Sequence, residues 1–183
     1  MDVYQLGPAD GYECICPIDF EAWFVFSPFK GSSLRESWRP VRMKIVRTDY
    51  LCPERIPGDL VLLGYDPPIF NRRACDALRD ILERNGELLR LDCDEGVYHA
   101  YNITRLIPAL DQKKSKIMRL PDGRVGLVSS PVLYYDKVQG AEVFKLGEDP
   151  SGSVYVGEGF VKRVEDCKLR GFDFKKVGFS GRK

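Results

Sequence analysis

The sequence predicts an α+β fold, a mostly antiparallel sheet carrying two or more short amphipathic helices. Three observations carry this. Val41, Met43 and Ile45 alternate with Arg42 and Lys44, the pattern of a strand with one wet face. Pro121-Asp122-Gly123 separates two β-prone runs, and Asp-Gly in that setting signals a hairpin. Arg72–Arg84 sets Ala74, Leu78, Ile81 and Leu82 at helical spacing on one side. With 183 residues, 44% of them hydrophobic, one compact domain can form without disulfide staples. It divides most naturally into a β-rich lobe, 1–68, and an α+β lobe, 69–183.

Along the chain, residues 1–26 read as short strands and turns: Val3–Leu6, a turn at Gly7-Pro8, then a β-rich stretch from Tyr12. Phe20, Trp23, Phe24, Phe26 and Phe29 are expected in the core, because each ring has a large apolar area to bury. Ser27–Ser33 is loop, and prolines punctuate the middle around the apolar run Leu60–Leu63. Asn71 is placed to cap the first helix, Asn85-Gly86 to stop it, and a strand Glu87–Leu91 to follow. Val97–Ile107 reads as a strand because Pro108 opposes a helix. Strands at Lys116–Leu120, Arg124–Tyr134, Val143–Leu146 and Ser153–Val156 lead to a second helix, Glu158–Cys167, with Phe160, Val161 and Val164 inward. Phe172 and Phe174 alternate with Asp173 and Lys175 as in a half-buried strand. Ile69–Leu91 and Val154–Val177 thus share a strand–helix–strand plan.

The net charge is +1, which argues against a nucleic-acid binder working through its whole surface. The charge is uneven. Residues 1–95 carry 12 Lys/Arg against 17 Asp/Glu, while 96–183 carry 16 against 10. The acidic excess concentrates in 76–95, where Asp76, Asp80, Glu83, Glu87, Asp92, Asp94 and Glu95 face only Arg79, Arg84 and Arg90. The N-terminus has no secretory pattern and no stretch could span a membrane. The six cysteines are therefore expected reduced in the cytoplasm. Cys14 and Cys16 are too close for a zinc knuckle and no second pair completes a ligand set, so no metal or cofactor is expected.

Catalytic signals are sparse. His99 is the only histidine, so an enzyme reading must use it with nearby carboxylates such as Asp92 and Asp94. Gly157-Glu158-Gly159 lacks the third glycine of a dinucleotide loop. A nucleic-acid reading would use the basic tail, Lys162, Arg163, Lys168, Arg170, Lys175, Lys176, Arg182 and Lys183, with Phe172, Phe174 and Phe179 stacking on bases.

More specific is an ordered series. Tyr98, Asn102 and Thr104 are followed by Ala109-Leu110-Asp111, Ser115, the Pro121-Asp122-Gly123 turn, and a closing unit with Gly171-Phe172-Asp173-Phe174. From Cys75 to Val177 this resembles a bacterial immunity-protein family, once a domain of unknown function, founded on the antidote to a myxobacterial spore toxin. YQLGPADGYE and Ser37-Trp38-Arg39-Pro40 are similar to it too, and 46–68 least. Pro108 and the glycines 157 and 159 depart from its pattern, so the second helix should lack a side-chain cap. The resemblance implies a non-enzymatic inhibitor. Its partner would be a cognate polymorphic toxin, often one delivered by type VI secretion and often a nuclease, rather than nucleic acid or membrane. A homo-oligomer stays open. A basic nuclease calls for an acidic inhibitor surface, which points to Asp92, Asp94, Glu95, Glu87 and Asp80. Tyr98, Asn102, Thr104, Asp111, Asp122, Gly123 and Gly171 read as fold signatures.

Overall fold

The computed structural model describes residues 1–48, 54–62 and 67–181. Cys52, Leu63, Arg182 and Lys183 lie outside them. The chain opens with β1 (Val3–Pro8) and β2 (Cys14–Pro17), then a 3₁₀ helix, Phe20–Phe26. Next come β3 (Met43–Val46), β4 (Leu60–Leu62), β5 (Pro68–Asn71), α1 (Arg72–Asn85), β6 (Gly86–Arg90), β7 (Tyr98–Ile103) and β8 (Leu106–Ile107). The hairpin β9 (Lys116–Arg119) and β10 (Val125–Ser130) precedes β11 (Val132–Tyr134) and the short α2 (Tyr135–Val138). The chain closes with β12 (Val143–Leu146), β13 (Asp149–Gly157), α3 (Glu158–Asp166), β14 (Phe172–Lys176) and β15 (Gly178–Ser180).

Two sheets dominate. One has the order β14-β1-β13-β12-β8, the other β3-β2-β4-β5-β7-β6. Pairing is antiparallel except at β2/β4, β8/β12 and β11/β15. The predicted α+β class holds, and both strand–helix–strand units are present as β5-α1-β6 and β13-α3-β14. The 68/69 division does not follow the sheets, since each draws strands from both sides of it.

α1 forms where expected. Asn71 caps it, its Oδ1 accepting from the Ala74 amide at 2.9 Å. Ala74, Cys75, Leu78, Ile81 and Leu82 are buried against Phe70, Tyr101 and Ile103 on one face of the six-stranded sheet, together with Phe160 and Val164 of α3. The opposite face carries Ile69, Leu89 and Ala100, packed with Phe26 and Phe29 from the N-terminal region. α3 has no side-chain cap, as expected; the Glu158 amide instead donates to the Asp2 carbonyl at 3.2 Å.

Two expectations for the first 30 residues fail. Gly7-Pro8 continues β1 instead of turning. Beyond Gln5, β1 pairs only with β14, so the proline's missing N–H faces no partner strand. Phe20–Phe26 is 3₁₀ helix, not strand, and of its aromatic residues only Phe26 is buried. Phe20 is 76% exposed, Phe24 67% and Trp23 40%, so the expected core position holds only for Phe26 and Phe29.

Candidate binding face

The 3₁₀ turn is anchored from below. Phe26 and Phe29 pack together (centroids 5.6 Å) and both meet Trp38, at 6.0 and 5.7 Å. That anchor uses one side of a short, tight helix. Ile18, Phe20, Trp23, Phe24 and Val25 are left exposed, with Phe20 and Phe24 edge to face at 6.3 Å. Exposed apolar groups gathered like this mark interaction surfaces. Asp19 and Glu21 stand among them and form no ion pair among the described residues. Beside the turn lies a hollow of about 460 Å³ lined by Ala22, Val25, Leu34, Trp38, Pro40 and Arg42, among others.

Arg42 joins this hollow to the acidic loop. Its guanidinium lies 3.7 Å from Asp94, and its strand is stitched to the loop by the Met43 amide on the Asp92 carbonyl, 2.7 Å. Arg47 holds both Glu13, at 2.7 Å, and Glu95. Asp92, Asp94 and Glu95 are therefore exposed and close to the apolar turn through Arg42, but two of the three carboxylates already have a cation.

The remaining predicted acids are elsewhere. Asp80 lies on α1 between Arg163 (3.1 Å) and Arg84 (3.5 Å). Partial desolvation opposes its ionisation, but these cations outweigh it and hold the carboxyl below its usual range. Asp76 and Glu83 share Arg79 at 2.8 and 3.3 Å. Glu87 corrects the sequence reading most sharply. It is only 7% exposed, accepting from the Leu34 amide (2.9 Å), the Asn102 side chain (3.0 Å) and the Ser33 hydroxyl. Burial opposes its ionisation, yet these donors together push its pKa down. It is an internal strut and not a surface contact.

The residues read as fold signatures make contacts within the chain. Asn102 is fully buried and its amide reaches both the Ser32 carbonyl (2.8 Å) and Glu87. Tyr98 packs in the core beside Ala100. The Thr104 amide donates to the Asn85 carbonyl at 3.1 Å, ending the strand against α1. Asp111 accepts from the Lys113 and Lys114 amides at 3.0 and 3.2 Å, closing a turn. Asp122 accepts from the Arg124 amide at 3.0 Å, with Gly123 at φ +84°. Gly171, at φ +88°, lies so close to the Leu60 carbonyl that a Cβ would sit 2.6 Å from it.

The residues behind the enzyme and nucleic-acid alternatives are placed otherwise than those readings need. His99 Nδ1 faces the Cys75 thiol at 3.5 Å rather than Asp92 or Asp94. Burial, with a smaller contribution from Asp76, pushes that thiol up to about 12, so it is no nucleophile at neutral pH. In the basic tail, Phe172 stacks on Phe70 at 6.0 Å and on Phe174 at 6.1 Å, so these rings are engaged with the core. Arg163 and Lys176 are paired with Asp80 and Asp2. Sequence reasoning missed the exposed rings. Apolar residues at 18, 20, 23, 24, 25 and 26 surround a helix instead of striping it, and one buried side cannot hold them all.

No helix among the described residues is long and apolar enough to cross a membrane, and no cluster of three or more His, Cys, Asp or Glu could hold a metal ion there. Residues 93–178 match the immunity protein family (Imm11). This is the kind of family the ordered motifs of the sequence resemble, and the matched span runs from the acidic loop through β14. No curated protein matches the chain.

Proposed function

We propose that the protein neutralises a cognate bacterial toxin by binding it, in the cytoplasm, through the face formed by the 3₁₀ turn, its hollow and the loop Asp92–Glu95. The observation that carries this reading is the immunity-family match over 93–178. The toxin is a polymorphic effector, of the sort delivered by type VI secretion. The aromatic residues supply what such a face needs, since large rings dominate interface energetics. Asp19, Glu21 and Asp92 add unpaired negative charge around them, suited to the basic active site of a nuclease.

Co-expression with the toxin domain encoded beside the gene tests the reading. Protected cells and a co-purifying complex are expected. Phe20→Ala with Phe24→Ala should abolish protection while leaving the unfolding transition in place. Unprotected cells and no complex with the unaltered chain overturn the function. Full protection by the double variant overturns the face.

A further inference from the structure

The opposite face of the six-stranded sheet holds a cleft that the toxin-binding reading does not use. It opens between the N-terminal half of α1 and the ends of β6 and β7, with a volume of about 230 Å³. α1 contributes Arg72, Cys75, Asp76 and Arg79; β6 contributes Arg90; Val97 and His99 complete the wall. Three arginines and a histidine thus line a space with a single acidic residue. That carboxylate is already engaged, since Asp76 lies 2.8 Å from Arg79 and 3.7 Å from Arg72. Arg79 is further fixed by Glu83 at 3.3 Å. Arg90 has no ion-pair partner among the described residues. Its main chain is held in β6, where it pairs with His99, and its carbonyl accepts from the Trp38 indole at 2.8 Å.

We propose that this cleft binds a small oxyanion, a phosphate or a carboxylate, gripped by Arg90 and Arg79 against His99. Guanidinium forks match the paired oxygens of such groups, and Arg79, pinned by two carboxylates, is oriented before the ligand arrives. Val97 and the thiol of Cys75 give the cleft an uncharged wall, so water competes less for the anion than at an open surface.

His99 provides an internal gauge. Burial pushes its pKa down first, then the charges of Arg90 and Arg79; Asp76 opposes them. An anion between these arginines and the ring reverses the balance and favours the imidazolium. By linkage, anion binding and protonation of His99 strengthen each other.

As the only histidine, His99 gives a single imidazole signal by proton NMR. Its titration should be followed in the full chain in sodium chloride, in phosphate and in acetate at equal ionic strength. An upward shift of the midpoint in phosphate relative to chloride supports the site. A matching shift in acetate assigns it to oxyanions in general, and its absence to phosphate. Arg90→Gln should raise the midpoint in chloride alone and weaken the phosphate effect about tenfold, the weight of one charged hydrogen bond. Equal midpoints in all three salts overturn the proposal, as does a phosphate shift that Arg90→Gln leaves intact. Neither result bears on toxin binding, which uses the other face of the sheet.

Discussion

The two faces of the six-stranded sheet are covered in opposite ways. On one, α1 lays a continuous apolar stripe on Phe70, Tyr101 and Ile103 and turns a ladder of paired charges outward. On the other, a two-turn 3₁₀ helix buries Phe26 and leaves its other rings in solvent. Both segments are short and aromatic or apolar, yet one completes the fold and the other leaves it open. A 14-residue α-helix presents a full face to a sheet. A seven-residue 3₁₀ helix, with three residues per turn, does not. Most of the acidity of 76–95, the most conspicuous charge feature of the sequence, is paired or buried within the molecule, Asp92 excepted, whereas Asp19 at the start of the short helix and Glu21 in its first turn are not.

Four measurements break or sharpen that contrast. Leu78→Ala, beneath α1, should cost about 2–5 kcal/mol in denaturant unfolding, while Phe24→Ala should stay within about 0.5 kcal/mol. Similar costs for both would erase the contrast. Glu87→Ala should cost about 1–3 kcal/mol by stranding the Ser33, Leu34 and Asn102 donors. Its pH signature has a definite sign. The folded-state pKa lies below the unfolded value of 4.5, so the stabilisation is present above 4.5 and disappears as pH falls through the folded value. Glu87→Gln should flatten that acid limb of the stability curve. Phe20→Ala with Phe24→Ala should weaken toxin binding about tenfold or more by calorimetry. The smallest effect belongs to Asp92, Asp94 and Glu95 changed together to Ala. Association should slow modestly at low salt and hardly at all at high salt, because Arg42 and Arg47 already offset two of these charges.

Local signals were legible in the sequence. The Asn71 cap, the Asp122-Gly123 turn, the α1 stripe and the Phe172/Phe174 alternation each depend on neighbours within a few residues, and each stands where it was expected. Glu87 was not legible, because the Ser33 and Leu34 donors that bury it come from more than 50 residues away. The exposed rings were misread because hydrophobicity signals what a residue gains by burial, not whether a short helix has enough buried side to give it. Of the candidate face, the sequence showed the acidic loop but neither its arginine partners nor the apolar turn beside it. Arg42 meets Asp94 only because β3 runs past the loop.

One feature of the topology sets the timing of synthesis. β1 lies between β13 and β14, so Tyr4 waits for Val156 and Lys176 before it has both neighbours. At usual translation speeds those partners emerge roughly 10–30 s after the N-terminus. Until then an apolar strand with two open edges is exposed, a template for pairing with other chains. A chain built this way completes its five-stranded sheet only after Lys176 has been made.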